Sequence, residues 1–212
     1  MIEYKSVSLA NQVFETLEKS ILDGTYAIGE IISEKRLSEE LGVSRTPIRE
    51  ALSRLAEEDL IKDSPNGTIV LGITDKDVDD AFEVKRRIEV LATRWAANII
   101  DEEHLNQLKE ILDQQEFYAQ KDDTEKVRDL DTEFHDVIYD ACGSPVLRGI
   151  LSPLHHKMLK YRKASLDKEH RIIDSVEEHK AIYEAIASGQ SDKVETLMLV
   201  HIDHAYQGMK KK

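Results

Sequence analysis

Asp131 and His135 stand four residues apart, a spacing that projects a carboxylate and an imidazole from one helix face about a turn apart. That is metal-ligand spacing, and it is also ordinary surface spacing. His179 lies in Ser175-Val176-Glu177-Glu178-His179-Lys180-Ala181-Ile182-Tyr183, beside the apolar stripe Val176, Ile182, Tyr183 and Ile186. His201 follows Val194, Leu197 and Met198. A histidine beside such a stripe is either a core residue with its ring nitrogens satisfied or a group aimed at a shared site. Helical bundles build metal centres from inward side chains on separate helices. The residues alone leave both readings open.

A second chemistry lies in Ser44-Arg45-Thr46-Pro47-Ile48-Arg49-Glu50-Ala51-Leu52-Ser53-Arg54-Leu55. Ser44 can cap a helix whose first turn tolerates Pro47, because the missing proline N–H has no partner there anyway. Ile48, Leu52 and Leu55 form the packing stripe, and Arg45, Thr46 and Arg49 crowd the exposed tip. Guanidiniums, hydroxyls and free backbone N–H groups suit phosphates and guanine edges in a major groove. An amphipathic helix with solvated arginines is the plain alternative.

Net charge opposes nucleic-acid binding at first sight: 29 Lys and Arg against 42 Asp and Glu leave −13. Residues 1–72 carry 8 against 13, and the remainder 21 against 29. Screening acts over about 8 Å in physiological salt, so a cluster of Lys35, Arg36, Arg45, Arg49 and Arg54 can dominate at close range. The chain is long enough for one large or two modest domains, with 41% hydrophobic residues to build a core. No run approaches a membrane span and Met1 to Leu17 lacks a signal-peptide core, which makes the cytoplasm the expected location. Cys142 is the single cysteine, so no intrachain disulfide can form.

The elements that must position these residues follow from periodicity and punctuation. Leu9, Val13, Leu17 and Ile21 repeat as a helix over Val7–Leu22, ended by Asp23-Gly24. Tyr26–Ile32 reads as a loop with at most a minimal strand. Ser33 caps Glu34–Leu41, Gly42 stops it, and the Ser44 helix begins two residues later, giving a helix-turn-helix. Ile61–Ser64, Pro65-Asn66-Gly67 and Thr68–Leu71 then form a β-hairpin wing whose tip can approach a phosphate or the minor groove. Gly72-Ile73 is a hinge, and Thr74 with Asp77 opens the next helix. Beyond it lie helices near 75–100, 102–120, 124–141, 145–165, 169–188 and 191–208, with Val78, Phe82, Ile88, Leu91 and Trp95 as the first core stripe. The fold class is therefore mainly α. Residues 1–72 form a winged helix-turn-helix with a small hairpin wing, and residues 73–212 an all-α bundle of about six helices.

Residues 7–71 resemble the winged helix-turn-helix of GntR-family bacterial transcription regulators. The likeness runs through Ile21-Leu22-Asp23-Gly24, Gly29, the unbroken stretch Leu37 to Leu52, Leu55 and Leu60-Ile61. It implies DNA contacts from Lys35, Ser44, Arg45, Thr46 and Arg49, with Asn66 and Gly67 at the wing. Lys35 stands where relatives often have arginine, which keeps the charge but not the bidentate fork. Asp59 stands where glycine is usual.

Residues 75–205 resemble the FCD ligand-binding domain of the FadR branch. The motifs are Arg86-Arg87-Ile88-Glu89, Asp131-Thr132-Glu133-Phe134-His135, Glu178-His179-Lys180-Ala181-Ile182 with Ala185-Ile186 and Gly189, and His201-Ile202. The resemblance implies one divalent ion per chain held by Asp131, His135, His179 and His201. Such a donor set suits zinc, nickel, iron or manganese and leaves positions open for water or a ligand. His204 is a substitute for His201 one turn on, and His104, His155, His156 and His170 match no motif. A small organic acid could occupy an open position, with Arg86 as the first candidate for its other end and Arg162 and Arg171 as weaker ones.

These implications describe a homodimeric, ligand-responsive regulator, a repressor of a palindromic DNA operator. A metalloenzyme acting on a small carboxylate is the rival from another class, weakened because no general base is identifiable beside the metal. A regulator that senses the metal itself is the third reading.

Overall fold

Ser8 accepts a hydrogen bond from the Asn11 amide and starts α1 (Leu9–Leu22) in the computed structural model, which describes the backbone of residues 8–165 and 169–210 and side chains outside 162–173. The chain divides into two compact units between Thr74 and Asp75. In the first, α1 packs Val13, Phe14, Leu17 and Ile21 against α3 (Arg45–Glu57), whose Ile48, Ala51 and Leu55 are fully buried. Between them, Ser33 caps α2 (Glu34–Leu41) by accepting from the Arg36 amide. Gly42 ends α2 at φ 66°, a left-handed conformation that glycine adopts without a Cβ penalty.

Ser44 occupies the N-cap position of α3, but its side chain makes no capping hydrogen bond. The expected hydroxyl cap is therefore absent, and the exposed hydroxyl is left uncommitted to the helix.

The wing is a three-stranded antiparallel sheet rather than a lone hairpin. β1 (Ile31–Ile32) pairs with β3 (Gly67–Val70), which pairs with β2 (Ile61–Ser64), in the order β1-β3-β2. Ser64 faces Gly67 across the two-residue loop Pro65-Asn66. A Cβ on Gly67 would lie 2.7 Å from the Ile32 carbonyl oxygen, so this glycine lets β1 close on the hairpin.

In the second unit, α4 (Asp75–Val84) runs through a π-helical turn (Lys85–Glu89) into α5 (Val90–Ile99). Then follow α6 (Glu102–Ala119), α7 (Thr124–Ala141), α8 (Pro145–Ser165), α9 (Glu169–Ala187) and α10 (Ser191–Lys210). The first rod corrects the expected core stripe. Val78 and Phe82 are buried, but the inward face continues through Lys85, Glu89, Ala92, Thr93 and Ala96. Leu91 and Trp95 are 37% and 42% exposed, and Ile88 is half-buried. The face that packs inward is polar and small-residued, so apolarity pointed to the wrong side of the helix. No helix among the described residues is long and apolar enough to cross a membrane.

Candidate functional site

The buried stripe of α7 reads Val127, Leu130, Asp131, Phe134, His135, Ile138 and Tyr139, which carries Asp131 and His135 into the interior together. His179 from α9 and His201 from α10 meet them there, and all four are buried. Ligand atoms of His135, His179 and His201 lie within 4.8 Å of one another. Asp131 Oδ1 is 3.6 Å from His179 Nε2.

Each of the three rings is held from behind. His135 Nδ1 is 2.7 Å from Glu89 Oε1, His179 Nδ1 is 3.0 Å from Gln115 Oε1, and His201 Nδ1 is 2.7 Å from Glu178 Oε2. For His179 and His201, Nδ1–H donation to that oxygen fixes the tautomer and leaves Nε2 with a bare lone pair, as in histidines that ligate metals, whereas the close His135–Glu89 approach lacks hydrogen-bond geometry. His135 Nε2 and His201 Nε2 face each other at 3.2 Å, and His179 Nε2 is buried with no hydrogen-bond partner. Lone pairs converging in a dry interior repel unless a cation stands between them, and the donor set fits a divalent ion.

The surrounding electrostatics favour the ligating forms of His179, His201 and Asp131. Burial pushes the His179 and His201 imidazoles below their ordinary value, aided by neighbouring histidines and, for His201, opposed by Glu178. Burial works to raise the Asp131 carboxyl, but its His155 hydrogen bond and the surrounding imidazoles hold it well below the usual range. Phe134 stacks on the His179 ring at 4.3 Å and fixes its plane.

His155, which matched no motif, belongs to this cluster. Its Nε2 is 3.4 Å from Asp131 Oδ2, and its Nδ1 is 2.9 Å from Lys85 Nζ. A lysine ammonium only donates, so Nδ1 accepts and Nε2 carries the proton toward Asp131. Burial, then Lys85 and His135, take its pKa down to about 3, so the ring stays neutral. Lys85 in turn lies 2.9 Å from Glu89 Oε2, and Tyr139 donates to Glu89 Oε1 at 2.7 Å. Leu151, His155 and Met158 are buried at i, i+4 and i+7 of α8, a spacing in the sequence that could have marked the inward histidine.

A cavity of about 40 Å³ opens beside the cluster, lined in part by Lys85, Asp131, His155 and His201, with Phe82, Met158 and Ile202 on its apolar side. Among the described residues the cation lining it is Lys85, and Arg86 is not part of the lining. Lys85 follows Phe82 by three residues and precedes Glu89 by four, on the inward face. Arg86 points one position further round, bonded to Asp203 at 2.7 Å and lying over the Tyr206 ring. The side chains of Arg162 and Arg171 lie outside the described residues. His204 is on the surface, 2.8 Å from the other oxygen of Glu178.

In the first unit, Lys35, Ser44, Arg45, Thr46, Arg49 and Asn66 are exposed and Gly67 is half-buried. The basic cluster is thinner than its composition implied. Arg36 is tied to Glu30 and Glu40, each at 2.6 Å, and Arg54 lies over the Phe14 ring while donating to Asn11.

Residues 9–70 match the description of bacterial regulatory proteins of the gntR family, and residues 80–204 match the FCD domain. The chain belongs to the GntR family of transcriptional regulators. This GntR regulator is 31% identical over 202 residues to the uncharacterized HTH-type transcriptional regulator YdhC of Bacillus subtilis, covering 94% of this chain and 90% of that one. The HTH-type transcriptional repressor RspR of Escherichia coli is 27% identical over 200 residues, with 94% and 88% covered. The solved structure of E. coli McbR/YncC shares the fold at a TM-score of 0.68 and 22% identity, over 94% and 96% of the two chains. Relatives named as regulators set aside the metalloenzyme reading: the FCD domain serves a regulator, not an enzyme.

Proposed function

We propose that this GntR regulator is a homodimeric repressor of a palindromic operator, and that its DNA affinity responds to a small organic acid at a metal site in the bundle. The observation that carries the bundle half is the inward convergence of three Nε2 atoms whose Nδ1 atoms each lie within 3.0 Å of an outer side-chain oxygen, hydrogen-bonded to it in His179 and His201. Asp131, His135, His179 and His201 would hold one zinc, nickel, iron or manganese ion per chain. A bound ion would offer open coordination positions to a carboxylate. Glu89, Gln115 and Glu178 orient the imidazoles, and His155 orients Asp131. Lys85 takes the place assigned to Arg86 as the cation beside the cavity.

In the head, Lys35, Ser44, Arg45, Thr46 and Arg49 would meet the major groove, with Asn66 and Gly67 of the wing against the backbone or minor groove. Two heads on a dimer would read the two halves of the operator. The coupling is reciprocal, so operator DNA changes effector affinity by the same factor as effector changes DNA affinity. A protein that reads operators acts where the DNA is, in the cytoplasm.

Salt-controlled binding to DNA from its own promoter tests the head. Arg45→Ala and Arg49→Ala should each lose about tenfold or more in specific affinity, from about 1 to 3 kcal/mol per bidentate base contact. Retention of full affinity by both would sink the assignment. Elemental analysis of chelator-free protein tests the bundle, with about one ion per chain expected from the four-ligand site and none in His179→Ala. Stripping and restoring the ion without any organic acid separates a metal-sensing regulator, whose DNA binding switches, from a metal-dependent acid sensor, whose binding does not.

A further inference from the structure

The four arginines of the head are held in distinct ways. Arg36 is engaged through both Nε and Nη1, and Arg54 is committed to Phe14 and Asn11. Arg45 is exposed near the carboxylate of Glu34. Arg49 alone is held by one side of its fork: its Nε donates to both oxygens of Glu34, at 2.8 and 2.9 Å. Glu34 is the first residue of α2 and Arg49 lies in the second turn of α3, so the contact bridges the two helices of the helix-turn-helix. The Glu34 carboxyl is held below its ordinary range by that guanidinium and stays ionised.

A guanidinium has five N–H donors in a rigid fork. With Nε occupied, the terminal Nη1 and Nη2 groups remain for a partner, and the Arg49 side chain is still 65% exposed. An arginine fixed in this way presents two parallel donors, the pattern that matches guanine O6 and N7. The same carboxylate places a negative charge at the tip that approaches the DNA, where it repels any phosphate in sequence-independent contact. Orientation and repulsion act on different quantities. The first favours one base, and the second weakens binding to every sequence.

We propose that Glu34 is a positioning residue that makes Arg49 read a base instead of a phosphate, and that it raises sequence discrimination while lowering non-specific affinity. The proposal rests on α3 being the recognition helix. Its test compares two duplexes across a salt series with the full chain. One is enriched from a random-sequence library by the wild-type protein, and the other is a mixed-sequence duplex of the same length.

Glu34→Ala should tighten mixed-sequence binding about threefold by removing a charge that repels phosphate. It should lower the ratio of specific to mixed-sequence affinity about tenfold, as expected for losing one base contact. Glu34→Gln keeps an oxygen that accepts from Nε, so it should tighten mixed-sequence binding while retaining most of the ratio. Arg49→Ala should lose the ratio with little change in salt slope, and adding Glu34→Ala should lower the ratio no further. Equal weakening of both duplexes by Glu34→Ala, or an unchanged ratio, overturns the proposal. So does a fall of about one in the salt slope with Arg49→Ala, the mark of a phosphate contact. If Arg45→Ala and Arg49→Ala both leave the ratio intact, the recognition-helix reading itself has failed. The Glu34–Arg49 pair lies at the surface, with the two side chains 35% and 65% exposed, so thermal melts of the variants should overlay the wild type.

Discussion

Arg36 in the head and Lys85 in the bundle are both cations set against carboxylates, but their surroundings differ. Arg36 sits between Glu30 and Glu40 with 44% of its side chain exposed, where water screens the attraction and holds both charges nearly as well as the partners do. Lys85 faces Glu89 with side-chain exposures of 7% and 0%, and His155, His135 and Tyr139 complete the network. In the bundle no solvent can replace a lost partner. The head's charges can therefore exchange partners with water and solutes, whereas the bundle's polar groups are held to the partners they have.

The widest gap between the two regions should appear when one partner is removed. Lys85→Met leaves Glu89 buried without its cation, and urea unfolding should register a loss of about 3 to 5 kcal/mol from the bundle. Adding Glu89→Gln should restore much of it, because the uncompensated charge is gone. Arg36→Met in the head should not shift the unfolding midpoint measurably. A Lys85→Met protein as stable as the wild type would erase the distinction.

Acid should separate the regions next. His155, His179 and His201 all have folded pKa values below the ordinary 6.5, His155 at about 3, while an unfolded chain protonates them near 6.5. The unfolded state then binds more protons as pH falls, so stability declines below about pH 6.5. At pH 5.5 each histidine still neutral in the fold costs about 1.4 kcal/mol relative to pH 7.5. Asp131 and Glu89 have lowered folded values, so the stability they add persists through this window and is lost only below about pH 4. The head contains no histidine, the first in the chain being His104. Hydrogen exchange on metal-free protein, corrected for intrinsic rates, should show bundle amides losing protection between pH 7.5 and 5.5 while head amides keep theirs. Equal losses in both would contradict the assignment.

The same contrast explains what could be read from the residues. The helices of the head were legible because their signals are contiguous: Ser33 to Arg49 holds both N-cap positions, the Gly42 turn and the start of α3 within one stretch. Only β1 was marginal, since two residues carry little pattern and their partner, β3, lies far along the chain. In the bundle the helix spans were legible from periodicity and from breaks such as Gly143 and Gly189. The inward face of Lys85 to Ala96 was not, because hydrophobic patterning cannot see a polar core. Lys85 and Glu89 of the π-helical turn, Gln115 of α6 and His155 of α8 come from three segments and acquire a role only when packing brings them together.

Asp59 tests the smallest difference. It follows the C-cap of α3 at φ 56°, one of two non-glycine residues with positive φ among those described. A left-handed conformation costs an L-residue about 1 to 2 kcal/mol, with aspartate at the lenient end. Glycine would relieve that strain but enter with a more flexible unfolded chain, an opposing term of about 0.4 to 1 kcal/mol. The two nearly cancel, so Asp59→Gly should raise the unfolding free energy of the head, measured in urea, by only a few tenths of a kcal/mol. Asp59→Ala keeps the Cβ and loses the polar side chain that tolerates this conformation, so it should lower stability by about 1 kcal/mol. Alanine more stable than glycine here would mean that the turn is not left-handed in solution. The expected order of glycine, aspartate and alanine would show that this exposed turn carries left-handed strain that aspartate tolerates and alanine does not.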